Sequence, residues 1–151
     1  MKPGDAAKKI RADARDRGKE NAARLLAAAH AGAEIIARAA PVDRGTLKSS
    51  VHVERLPNGS PRIVIDAPHA MEVELGSRPH TPPLAPLVEW VRRHRLAFGM
   101  RADARGQEAD FIAIARAIQR KIARDGTKPT YFVRNALPRL VAALVMEFAR
   151  P

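Results

Sequence analysis

A chain of 151 residues, 46% hydrophobic but only 4% aromatic and carrying a formal charge of +11, has the size of one domain and a slim core of alanine, leucine, isoleucine and valine. It has no cysteine, which excludes disulfides, thiolate metal sites, thiolate-held iron–sulfur clusters and a cysteine nucleophile. The positive balance suits phosphates, acidic protein surfaces or anionic membranes without choosing among them; no secretory or membrane-spanning apolar run is evident, so a soluble, intracellular protein is expected.

From Ala6 to Ala39 there is no proline and much alanine, with Leu25, Leu26, Ala29, Ala33 and Ile36 at helical spacing, so one long helix is expected. Its first half, residues 1–20, is a basic arm with Ile10 as its large apolar residue, and it should be exposed or packed on a neighbour. Pro41 ends the helix, because the residue before a proline is pushed out of the helical region and the proline cannot donate the next hydrogen bond. Asp43-Arg44-Gly45-Thr46 reads as a turn, followed by a possible helical turn through Leu47. Val51 and Val53, then Ile63 and Ile65, alternate with other residues on either side of Pro57-Asn58-Gly59-Ser60-Pro61, which predicts a β-hairpin. Ala70 to Leu75 has mixed periodicity and suits a short helix or a strand.

Four prolines between Arg78 and Pro86 oppose regular structure, and a short helix follows from Leu84 to about Arg95. Arg101 to Gln107 reads as a polar link, so residues 78–107 form a loop-helix-loop insert. A third helix is expected from about Glu108 to Arg124, with Phe111, Ile114, Ile118 and Ile122 on one face and Gly126 closing it. Thr130 to Val133 is β-prone. A last helix carries Leu137, Leu140, Val141, Leu144, Val145 and Phe148 as its apolar face, with Pro138 in the first turn and Asn135 as a cap. The expected fold is α+β: long N- and C-terminal helices packed on a small antiparallel sheet, with two additional helices, in a single domain spanning residues 1–151.

Chemistry-bearing patterns are thin. His30, His52, His69, His80 and His94 lack the paired spacing of a helical zinc site. His69, Glu72 and Glu74 are close enough to collect a cation, but an acidic solvated edge is the plainer reading. Asp66 with Glu72 or Glu74 suits the carboxylate pair of a magnesium-dependent nuclease, yet no lysine follows to orient the attacking water. Ser49, Ser50, Ser60 and Ser77 lack a nucleophile elbow, and Gly126-Thr127-Lys128 lacks the first glycine of a phosphate loop. A protein without catalytic activity, cofactor or metal is expected. The basic residues of the first helix can bind nucleic acid through phosphates, but aromatic stacking platforms are nearly absent.

Three segments in order resemble one family. Ala40-Pro41-Val42-Asp43-Arg44-Gly45-Thr46-Leu47-Lys48-Ser49-Ser50 is similar to the "A-P-V-D-T-G-x-L-x-x-S" opening of the gene-product-ten-like tail-completion or head-tail joining proteins of long-tailed bacteriophages. Ala67-Pro68-His69-Ala70-Met71-Glu72-Val73-Glu74-Leu75-Gly76-Ser77 resembles its "A-P-Y-A-x-x-V-E-F-G-T", and Pro129 to Ala136 resembles its "P-x-P-F-x-x-P-A". Arg44, His69, Leu75, Tyr131 and Asn135 depart from these patterns, and the "P-L-x-x-W" helix between Pro82 and Gly106 resembles a variant seen in some minor tail proteins. The positions that carry the match are Pro41, Asp43, Gly45, Leu47, Ser50, Pro68, Ala70, Glu74, Gly76, Phe132 and Ala136.

The resemblance implies a structural virion protein, a neck or tail-terminator subunit in a hexameric or dodecameric ring. It would contact the tail tube and the head-completion or connector proteins, come close to phage DNA in passing, involve no membrane, and be assembled in the bacterial cytoplasm. Lys8, Arg11 and Arg15 are expected to form its assembly surface, with Arg78–Pro83 and Phe98–Gln107 ordered mainly by neighbouring subunits. The rival expectation is a basic nucleic-acid-binding protein without catalytic activity.

Overall fold

The computed structural model describes residues 3–94 and 107–149. The fold is α+β, with these elements in chain order: α1 (Pro3–Ala39), α2 (Thr46–Ser49), β1 (Val51–Arg55), β2 (Pro61–Ile65), α3 (Ala70–Leu75), α4 (Leu84–Arg93), α5 (Gln107–Asp125) and α6 (Phe132–Ala149). The chain divides into two compact units, one made of residues 1–70 and 131–151 and the other of residues 71–130.

In the first unit α1 is the scaffold. It begins at Pro3, where a missing N–H has no helical partner to lose, and its last turn ends as Ala40 donates to the Ile36 carbonyl (3.0 Å) ahead of Pro41. At 1.5 Å per residue α1 is about 55 Å long and α6 about 27 Å, so α6 can cover only half of it. Ala28, Ala33 and Ile36 of the C-terminal half are buried, as are Ala40 just beyond it, Leu47, Phe132 and Ala136. β1 and β2 form an antiparallel hairpin in which Val51 faces Ile65, Val53 faces Ile63 and His52 faces Val64. This hairpin lies on α1, while α6 packs mainly on α1 rather than on the sheet. Both neighbours meet at Gly32, where an added Cβ would stand 3.1 Å from Ile63 Cδ1 and 3.2 Å from Leu140 Cδ1.

The last helix departs from expectation. It starts at Phe132, so Thr130 to Val133 is no strand, Asn135 lies inside the first turn instead of capping it, and Pro138 sits within the helix. Tertiary contacts decide this. Thr130 donates both N–H and Oγ1–H to the Val73 carbonyl (3.0 and 2.7 Å), Tyr131 takes a φ of 51°, and Asn135 N–H then bonds the Tyr131 carbonyl (2.8 Å). Burial of Phe132 and Ala136, at 3% and 2% exposure, holds the first turn in place and offsets the hydrogen bond that Pro138 cannot make.

In the second unit α4 and α5 pack around Val91, Phe111 and Ala115, with Leu84, Leu87, Val88, Trp90, Ile114 and Ile118 closing over them. Arg92 of α4 bonds both carboxylate oxygens of Glu108 on α5 (2.9 and 2.8 Å), and also pairs with Glu89. Its guanidinium lies 5.8 Å from the Phe111 ring centre. A single antiparallel bridge ties the unit's ends. Ser77 N–H donates to Thr127 O (3.2 Å), Thr127 N–H to Ser77 O (3.1 Å), and the Thr127 hydroxyl to Ser77 Oγ (3.0 Å). Gly76 and Gly126 flank it with φ of 74° and 73°, and a Cβ on either would strike the opposite carbonyl at 2.3 or 2.0 Å. Only glycine fits both the backbone angle and the approach.

Candidate functional site

Two surfaces of the first unit stand out: the N-terminal arm and the outer side of α6. Lys8, Lys9, Arg11, Arg15, Arg17 and Lys19 are all exposed, and Ile10 is 68% exposed. At 100° per residue Lys8, Arg11, Arg15 and Lys19 fall on one face, Asp13, Asp16 and Glu20 on another with Lys9 among them, and Ile10, Ala14 and Gly18 on a third, with Arg17 between the last two. Six basic residues against four acidic between Asp5 and Ala22 leave a modest net charge, so the arm is patterned rather than uniformly cationic. Helical pairs along α1, Lys19–Asp16 at 3.7 Å and Arg24–Glu20 at 2.7 Å, support the helix where it has little packing.

On α6 the apolar residues span more than half the helix circumference. Phe132, Ala136 and, partly, Leu140 and Leu144 lie on the covered side, whereas Leu137, Val141, Val145 and Phe148 are 45–60% exposed and follow one another at i, i+4, i+8 and i+11. The six positions expected as one apolar face therefore split into a covered side and an open stripe.

The family-like positions are mainly architectural. Leu47, Phe132 and Ala136 are buried. Gly45 precedes α2 with φ 82°, and Ser50 closes that helix with its Oγ–H on the Leu47 carbonyl (2.7 Å). Pro41, Asp43 and Pro68 are exposed, Glu74 is half-buried, and the Ala70 N–H bonds the Ala67 carbonyl (2.9 Å). Gly76 belongs to the glycine-flanked bridge. At Tyr131, where the family pattern has proline, φ 51° is an angle proline cannot adopt.

Asp66 and Glu72 are exposed and Glu74 half-buried, and among the described residues no three His, Asp or Glu side chains are gathered to hold a metal ion. The loop before α4 touches α5 of the same chain: in Arg78–Pro83, His80 N–H donates to the Ile122 carbonyl (3.4 Å) and the Pro82 carbonyl accepts from Gln119 Nε2–H (2.7 Å). The expected link from Phe98 to Gln107 lies outside the described residues, apart from Gln107 at the start of α5.

Sequence reasoning missed a shallow groove of about 360 Å³ between α1 and β1, lined by His30, Ala33, Glu34, Ala37, Val51, His52 and Val53. Beside it, on the sheet face turned from α1, Glu54 accepts from Arg62 across the strands (2.7 Å) and lies 3.3 Å from His52 Nε2. A hydrogen bond from His52 Nδ1 to the Ser50 carbonyl (3.0 Å), then the Glu54 carboxylate, raise the His52 pKa above 6.5; Arg62 and His52 together lower that of Glu54. The spacing of His30 from Glu34 and of His52 from Glu54 was a usable signal, but joining them required the hairpin's placement on α1.

No protein-family model, curated protein or solved structure matches the chain.

Proposed function

We propose that this chain is a non-enzymatic structural protein of a tailed bacteriophage virion, a neck-ring subunit that completes the tail and joins it to the head. The observation that carries the reading is the N-terminal arm: several turns of helix with exposed side chains, with a basic face, a mainly acidic face and an apolar one. Such an arm buries little of its own surface, and ordering it as a helix is best repaid by a partner. The ordered trio of family-like segments and the open stripe on α6 support the same reading, since a subunit in a head-to-tail ring needs two different contact surfaces.

The test is assembly of particles with the Lys8→Glu, Arg11→Glu, Arg15→Glu variant at low and moderate salt, with its unfolding recorded separately. Impaired joining by a normally folded variant is expected, with the larger defect at the lower salt, because salt screens both the native attraction and the variant's repulsion over a Debye length of about 8 Å at physiological ionic strength. Normal joining at both salts would reduce the arm to a solvated surface.

The basic line Lys8, Arg11, Arg15 and Lys19 favours one second reading, phosphate-backbone binding to nucleic acid. Four contacts would give a log–log salt slope of about −3.6 on duplex DNA. The adjoining acidic face argues for a protein partner instead. A steep slope from a protein absent from virions would reverse that preference.

A further inference from the structure

The hydrogen-bond phase of the hairpin fixes which of its edges is open. Asp66 N–H donates to Ser50 O (3.2 Å) and Leu56 N–H to Ser60 O (2.9 Å), so residues 50 with 66 and 56 with 60 are bonded positions. Bonded and non-bonded pairs alternate in an antiparallel ladder, which makes His52 with Val64 and Glu54 with Arg62 the bonded pairs between them. Val51, Val53 and Arg55 therefore turn N–H and C=O outward on β1, as Pro61, Ile63 and Ile65 do on β2. Pro61 has no N–H to offer and blunts the β2 edge. Among the described residues no backbone hydrogen bond closes the β1 edge, which borders the groove walled by His30, Ala33, Glu34 and Ala37 of α1.

We infer that the free protein pairs through this edge, β1 of one copy hydrogen-bonding antiparallel to β1 of a second copy, with His52 of each facing Glu54 of the other. Charge selects the register. Three alignments bring at least two outward-turned residues of each strand face to face with those of the other. One sets His52 against His52, one sets Glu54 against Glu54, and the third centres on Val53 and sets His52 against Glu54 twice. The third alone joins unlike groups, and at a non-bonded pair, where side chains come closest. About six main-chain hydrogen bonds would form along the five-residue strands.

Helix spacing fits the same pairing. α1 lies across both strands of its own hairpin. Joining two hairpins edge to edge separates their centres by two strand spacings, about 9.6 Å, within the 8–10 Å at which helix axes pack. The two α1 helices would thus lie side by side on one face of a four-stranded sheet, with small residues Ala33 and Ala37 in the space between. A twofold contact closes after two copies and cannot propagate a ring, so it goes beyond the neck reading and describes the protein before assembly.

The chain has no cysteine, so introduced thiols report without ambiguity. Purified protein is examined by sedimentation, and His52→Cys and Glu54→Cys proteins are mixed under mild oxidation. A wild-type dimer is expected, together with a covalent dimer formed by the mixture and by neither variant alone. His52→Glu should raise the dissociation constant roughly tenfold, with an unchanged circular dichroism spectrum, since two cross-strand attractions become repulsions. A monomer at every concentration, or cross-linking of His52→Cys with itself instead, would overturn the pairing. None of these results depends on phage particles, so they leave the neck reading to be judged by assembly.

Discussion

Replacing Gly126 by alanine tests the glycine-flanked bridge most directly. At φ 73° an L-residue pays about 1–2 kcal/mol, and the new Cβ would stand 2.0 Å from the Ser77 carbonyl oxygen. That overlap can be relieved only by parting the two segments. Doing so gives up the reciprocal bonds between Ser77 and Thr127, at about 1 kcal/mol each, for a total near 3–4 kcal/mol. With an m-value of about 2 kcal/mol/M, the urea midpoint of the second unit should fall by roughly 1.5–2 M. Hydrogen exchange at the Ser77 and Thr127 amides should accelerate first. Gly59→Ala is the control: its φ is 83° but nothing lies within 4 Å of the added carbon, so only the backbone cost of about 1–2 kcal/mol applies. Equal losses for the two variants would refute the idea that close approach, rather than backbone angle alone, fixes this glycine.

Gly18→Ala should increase helical circular dichroism, by a local gain of about 1 kcal/mol, without moving the thermal midpoint, because an added Cβ there meets nothing within 4 Å. Ala115→Leu, at a fully buried site between α4 and α5, should cost about 1–3 kcal/mol by overpacking, read as a lower unfolding midpoint. The His52 imidazole should titrate above pH 6.5 by NMR, and Glu54→Gln should move its midpoint down. The sign follows from the raised folded value: this exposed pair's small contribution is complete below pH 6.5 and is lost as pH rises through the folded pKa. The Glu54 contribution is instead lost as pH falls below 4.5 through its lowered pKa.

Local signals gave the elements that are locally determined. Leu26, Ala33 and Ile36 show α1 by their spacing, and Asn58-Gly59 with its flanking valines and isoleucines shows the hairpin, because each pattern reflects contacts within or beside its own element. The start of α6 is not legible locally, since Thr130, two residues before it, is fixed by bonding Val73, 57 positions earlier, and no window of sequence contains that pair. Phe111 and Ile118 marked the covered face of α5, but on α6 the apolar arc is too wide to say which side α1 takes. The basic residues of the arm were plain in the sequence. The groove beside Val53 was not, because it exists only once strand register and helix placement are both fixed.

The bridge has a further consequence for how the chain can be edited. Ser77 with Thr127, and Val73 with Thr130, bring the points where the backbone enters and leaves residues 71–130 within a hydrogen bond of each other. That stretch is therefore a cassette with adjoining ends. Lengthening, shortening or exchanging its interior leaves the span from α3 to α6 unchanged, and the seating of α6 on α1 need not be renegotiated. Relatives differing greatly in length would be expected to differ inside the cassette, and a graft made between Val73 and Thr130 needs only a short turn to close it.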